Sequence, residues 1–155
     1  LEYQQKFVFE HQHLQEISES LDQLQSGFLP TEGGSLLERA AEKINFIPQR
    51  GDFTRGIFSA IYVDTDLTED EAYDLYTTFY ASHPFTTVSK ANIDLKQVVN
   101  TNKSIIHLEK HGSKLLILNA TDNLLKGASG QAVQNMNLMF GLEERTGLNL
   151  KSVGF

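Results

Sequence analysis

The chain has 155 residues, of which 40% are hydrophobic and 21% charged, with a formal net charge of −7 and no cysteine. This is a folded composition, long enough for one ordinary domain with a real core, and its acidic balance without a Lys/Arg cluster argues against a nucleic-acid surface. No apolar run approaches the roughly 20 residues that span a bilayer and no signal-peptide pattern is present, so the expected setting is cytoplasmic; disulfides, thiolate metal sites and a cysteine nucleophile within the chain are excluded.

The chain opens at Leu1 with strand-like residues already under way from Tyr3 to Glu10, which reads as a segment of something longer. His11-Gln12-His13 follows, and then Leu14, Ile17, Leu21 and Leu24 at spacings of three and four, the face of an amphipathic helix. Glu16 lies about one helical turn from His13, where a carboxylate orients an imidazole for acid–base work. Two partly exposed histidines at a helix start read equally well as ordinary surface. As metal ligands they are incomplete, two apart with no third nearby, and no metal is expected. Residues 26–35 form a Gly/Pro loop, and Ser35 with Glu38 has the capping-box spacing of a short helix ending by Pro48.

Phe46 to Ile57 is broken by Pro48, Gly51 and Gly56 and carries Arg50 and Arg55, whose forks suit a phosphate or carboxylate. Ile57–Val63 has strand character, and Thr68 with Glu71 caps a helix whose inner face is Ala72, Leu75, Tyr76 and Phe79, stopped near His83-Pro84. Phe85–Val88, Gln97–Asn100 and Ser104–Glu109 are expected strands. A His111-Gly112 turn joins the last of them to the strand Lys114–Ala120. These elements make an α+β domain on a largely antiparallel or mixed sheet.

The most specific stretch runs from Asp122 to Gly141, a strand-to-helix junction. Ala132, Val133, Met136 and Phe140 mark one helix face, preceded by Lys126-Gly127-Ala128-Ser129-Gly130. Glycines permit tight turns and close approach, and the N–H groups of a helix start suit a phosphate or an amide oxygen. A capped helix that simply packs is the competing reading.

Three segments resemble one family, the N-acetyl-gamma-glutamyl-phosphate reductases. His11-Gln-His-Leu-Gln-Glu-Ile17 is similar to their His-Arg-His-x-Pro-Glu-Ile motif, and Phe46 to Ile57 to their Phe-Thr-Pro-His-Leu-Gly-Asn-Phe-x-Arg-Gly-Ile segment. Asp122 to Asn137 resembles their Asp-Asn-Leu-x-Lys-Gly-Ala-x-Gly-Gln-Ala-x-Gln-Asn-Met-Asn signature almost residue for residue, followed by Gly141 to Leu148. The chain departs from the pattern at Gln12, Gln15, Gln49 and Arg50.

The resemblance implies a two-domain NADP-dependent enzyme of arginine biosynthesis with a fold like that of glyceraldehyde-3-phosphate and aspartate-semialdehyde dehydrogenases. Residues 1–155 would be its C-terminal catalytic and dimerisation domain. The N-terminal NADP-binding domain and the cysteine that attacks the acyl phosphate would lie elsewhere, so this chain by itself should be inactive. His13 is then expected to handle protons, supported by His11 and Glu16, with Arg55 on an anionic substrate group. Lys126, Gly127, Gly130, Gln131 and Asn135 would approach the cofactor. The expected partners are the small acyl phosphate, the missing domain and a second subunit. Two alternatives stay open: a non-catalytic interaction module of the same fold, and a related reductase of carrier-bound lysine precursors.

Overall fold

The computed structural model describes residues 12–24 and 44–152, which belong to two compact units, Leu1–Asp52 and Phe53–Phe155. In the first, helix α1 spans Gln12–Leu24. Leu14 and Ser18, one turn apart, are fully buried, and the Ser18 hydroxyl donates to the Leu14 carbonyl at 2.5 Å. Ile17 and Leu21 are half-buried and Leu24 is exposed. Residues 44–52 form neither helix nor strand, as Pro48 and Gly51 predict. The expected strand at Tyr3–Glu10, His11 and the helix opened by Ser35 lie outside the described residues. Among the described residues no helix is long and apolar enough to cross a membrane.

The second unit runs β1 (Ile57–Asp64), α2 (Glu69–Tyr80), β2 (Thr86–Ser89), a 3₁₀ turn (Leu95–Gln97), β3 (Ser104–His111), β4 (Lys114–Thr121), a π-helical turn (Leu125–Ser129) and α3 (Gly130–Met139). The sheet order is β1-β4-β3-β2, antiparallel except for the parallel β2–β3 pair. This is the expected α+β architecture with a mixed sheet. The β3–β4 hairpin pairs His111 with Lys114 and leaves a two-residue loop, where Gly112 takes the positive φ of +58° that such tight hairpins require.

One sheet face carries Ile106 and Leu108 of β3 and Leu115 and Ile117 of β4, packed on Ala72 and Tyr73 of α2. Tyr76, Tyr80 and Val88 border this core. Thr68 and Glu71 form the expected capping box, the Thr68 amide donating to Glu71 Oε2 at 2.8 Å and the Glu71 amide to the Thr68 hydroxyl at 3.3 Å. The Glu71 carboxyl is held below its ordinary value, chiefly by that Thr68 amide.

The inner face of α2 is nevertheless turned from the expected one. Leu75 and Phe79 are 57% and 64% exposed, whereas Tyr73 is buried. The reason is the short β2, whose pairing with β3 stops at Ser89 and His107. Beyond that point the Tyr73 hydroxyl takes over the edge of β3, donating to the Leu108 carbonyl at 2.9 Å and accepting from the Leu108 amide at 3.2 Å. Glu69 Oε2 accepts from the Lys110 amide at 3.0 Å, so α2 side chains close an edge that would otherwise be open. Tyr73→Phe, which leaves both Leu108 groups unpaired, is expected to lower stability by about 1–3 kcal/mol, read as a fall in the urea midpoint. An unchanged midpoint would contradict this role.

Two further expectations are corrected. Gln97–Asn100 is not a strand, because Asp94 accepts from the Lys96 amide at 2.8 Å while Gln97 accepts from the Asp94 amide at 2.9 Å, a capping box that starts the 3₁₀ turn. Helix α2 ends at Tyr80, four residues before Pro84.

On the opposite sheet face, β1 contributes Phe58 and Tyr62, 43% and 68% exposed. On α3, the expected apolar face points outward, with Met136 and Phe140 45% and 74% exposed. The inward side of α3 instead buries Gly130 and Asn137.

Candidate functional site

Asp122, at the end of β4, organises the junction. It is fully buried, and Oδ1 accepts from the amides of Leu124 and Leu125, both at 2.8 Å. Oδ2 accepts from the Asn100 amide at 2.6 Å and lies 2.7 Å from Arg55 Nε. Asn100 presents its amide from a φ of +63°, a conformation that asparagine tolerates better than most residues. Burial alone would raise the Asp122 carboxyl. The Leu125 and Asn100 amides, the Arg55 guanidinium and the Leu124 amide outweigh it and hold the group below its ordinary value. The neighbouring Asn123 Oδ1 accepts from the Gly56 amide at 2.7 Å, and Gly56 takes a φ of +115°. The loop before β1 and the turn after β4 are thus tied by two adjacent side chains.

The helix start differs from the expected one. Its first amides do not await a ligand, because the Asp122 carboxylate accepts from Leu124 and Leu125. The Asp122 carbonyl accepts from the Gly127 amide at 2.8 Å, and the Leu124 carbonyl accepts from the Ser129 amide at 3.1 Å, both spanning five residues as a π turn does. Gly130 serves close approach rather than an unusual φ, which is −66°. A methyl there would run into Asn102 Oδ1 and would lie 2.9 Å from the Leu125 carbonyl oxygen.

Beside Gly130 a polar cluster holds Lys126. Gln134 Oε1 accepts from Lys126 Nζ at 2.8 Å and from Asn102 Nδ2 at 3.0 Å, while Gln134 Nε2 donates to Glu144 Oε1 at 2.7 Å. Asn102 is fully buried, and its Oδ1 has no hydrogen-bond partner among the described residues. Burial pushes the Lys126 ammonium below its ordinary value and the Glu144 carboxylate pulls it back up. Lys126 has three N–H donors and commits one to Gln134. It meets no carboxylate within 4.0 Å among the described residues.

The end of α3 is closed by Gly141 at φ +67°, with the Leu142 amide donating to the Asn137 carbonyl at 2.8 Å and the Gly141 amide to the Leu138 carbonyl at 3.3 Å, a Schellman arrangement. Asn137 Nδ2 then donates to the carbonyls of Glu144 at 3.1 Å and Thr146 at 2.9 Å, which fixes the segment that carries Glu144.

The expected site residues fall into separate groups. In the first unit, His13 Nδ1 lies 3.0 Å from Glu16 Oε2, both side chains more than half exposed on α1. In the second, Arg55 Nε lies against the buried Asp122 carboxylate, and the arginine side chain is 26% exposed. Lys126, Gly127 and Gly130 share the junction. Gln131 and Asn135 are exposed one turn apart on α3. Asp122, Asn102, Gln134 and Glu144 were not expected as site residues. An Asp immediately ahead of a helix start is a capping signal, but the meeting of Asn102 with Gln134 is a tertiary contact without a local trace.

The chain matches the semialdehyde dehydrogenase dimerisation domain model over residues 3–123, and it belongs to that family. Among individual proteins it is similar to the N-acetyl-gamma-glutamyl-phosphate reductase of Bacteroides fragilis, 55% identical over 148 residues, covering 96% of this chain and 42% of the relative. The reductases of Bacteroides thetaiotaomicron and Flavobacterium johnsoniae are each 54% identical with the same coverage. The chain therefore spans about two-fifths of the length of the curated relatives it matches.

Proposed function

We propose that this chain is the dimerisation and active-site part of a cytoplasmic, NADP-dependent N-acetyl-gamma-glutamyl-phosphate reductase of arginine biosynthesis. The observation that carries this reading is the 55% identity maintained over 96% of the chain with a relative of that name. The nucleotide-binding domain and the nucleophilic cysteine would come from the rest of the protein, since the chain holds no cysteine.

In the proposed reaction a thiolate displaces phosphate from the acyl phosphate to form a thioester, and hydride delivery then releases the semialdehyde and restores the thiolate. The nicotinamide nucleotide supplies the hydride. This chain's residues supply proton handling and positioning. The Glu16 carboxylate beside Nδ1 orients the His13 ring, which suits a group that takes a thiol proton through its other nitrogen. The uncommitted donors of Lys126 and the exposed carboxamides of Gln131 and Asn135 fit the phosphate and amide oxygens of the nucleotide, while Gly127 and Gly130 keep the turn that carries them closely packed. The terminal nitrogens of Arg55 suit an anionic substrate group.

A homodimer would cover the outer sheet face bearing Phe58 and Tyr62. Supplied with N-acetyl-gamma-glutamyl phosphate and NADPH, the full-length protein is expected to release one phosphate for each NADPH consumed. Failure to consume NADPH with this substrate would overturn the reading.

A further inference from the structure

A cleft of about 320 Å³ lies between Pro84–Phe85, Lys103 and the segment Arg145–Leu150, none of which is assigned a role above. That volume is at the lower end of small-molecule sites. Its apolar side is formed by Phe85 and Leu148, 6% and 4% exposed. Its polar side carries two cations and no carboxylate, because neither Asp nor Glu lines it.

Lys103 and Arg145 are both exposed, and neither meets a carboxylate within 4.0 Å among the described residues. In a chain of net charge −7, two unpaired cations on one cleft stand against the prevailing charge. For Arg145 the cause is visible: its neighbour Glu144 is turned to Gln134 at 2.7 Å, and Asn137 pins the backbone on either side through the Glu144 and Thr146 carbonyls. Lys103 is likewise set by its backbone, its amide donating at 3.1 Å to the buried Thr101 hydroxyl. Lys126 Nζ, 5.8 Å from the Phe85 ring centroid, adds a third positive charge to the neighbourhood.

We propose that this cleft binds a small organic anion, its carboxylate or phosphate head held by Lys103 and Arg145 and its apolar body laid on Phe85 and Leu148. Paired cations recognise such heads by charge-assisted hydrogen bonds, and the apolar wall selects an anion with a hydrocarbon portion over a bare ion. This site goes beyond the reductase reading and does not depend on it.

The test uses ligand-observed fluorine NMR on the full-length protein with two probes, fluorobenzoate and fluorophenyl phosphate, which separate a carboxylate from a phosphate preference. Saturable broadening of at least one probe is expected, with weaker displacement by inorganic phosphate than by the unlabelled organic anion. In K103Q/R145Q the apparent affinity should fall by on the order of 10-fold or more, while the thermal unfolding midpoint stays at the wild-type value. No saturable broadening with either probe would overturn the proposal. So would equal binding by a folded double variant, or displacement of the probe by NADPH, which would place the anion in the nucleotide site instead.

Discussion

Asp122→Ala in the full-length protein is expected to cost about 3–5 kcal/mol of folding stability, the effect of leaving a buried pair half-made. The loss reaches four groups at once. The Leu124 and Leu125 amides lose their cap, the Asn100 amide loses its acceptor, and Arg55 keeps a charge with no counterpart. Asp122→Asn separates the contributions, since it retains an acceptor for the helix start and removes the charge beside Arg55. The folded carboxyl is held below its ordinary value. Its contribution is therefore fully present above that value and is lost as pH falls through the lower folded value. Urea midpoints measured across the acid range should show a fall for the wild type that is shallower in Asp122→Asn. A wild-type midpoint for Asp122→Ala at neutral pH would contradict the central role of this carboxylate.

Much of the fold was legible because its signals are local. The three- and four-residue spacing from Leu14, the Thr68–Glu71 capping box and the His111-Gly112 turn each correspond to an element in the structure. Where expectation failed, a tertiary partner had overridden periodicity. Tyr73, rather than Leu75 or Phe79, faces inward because its hydroxyl completes the β3 edge where β2 stops. On α3, the buried side carries Asn137, whose amide serves two carbonyls of the following loop, and the apolar residues are left outside. From periodicity alone an outward apolar face is indistinguishable from a core face.

The candidate site was legible as motifs and not as contacts. The segments ending in Arg55-Gly56 and beginning with Asp122-Asn123 are 67 positions apart at the bond from Gly56 to Asn123, and the structure joins them. The glycines of the junction suggested a phosphate cradle, yet Gly130 makes room for Asn102, and the Asp122 carboxylate takes amides that an anion would have used. What remains for a ligand at this junction is therefore side-chain chemistry, chiefly that of Lys126.

The second large effect concerns His13, whose ring is oriented by Glu16 at 3.0 Å. A general acid–base group typically contributes about 10²–10⁴-fold, so His13→Ala in the full-length enzyme should lower kcat by on the order of 10²-fold or more. KM for the acyl phosphate should change little, because the role proposed for His13 is proton transfer rather than substrate binding. Glu16→Gln, which keeps the ring and weakens its orientation, should give a smaller loss in the same direction. The most direct measurement is turnover of N-acetyl-gamma-glutamyl phosphate with NADPH by the full-length His13→Ala variant, with and without added imidazole. A deep loss partly restored by imidazole is the predicted result, and wild-type turnover in that variant would contradict the account.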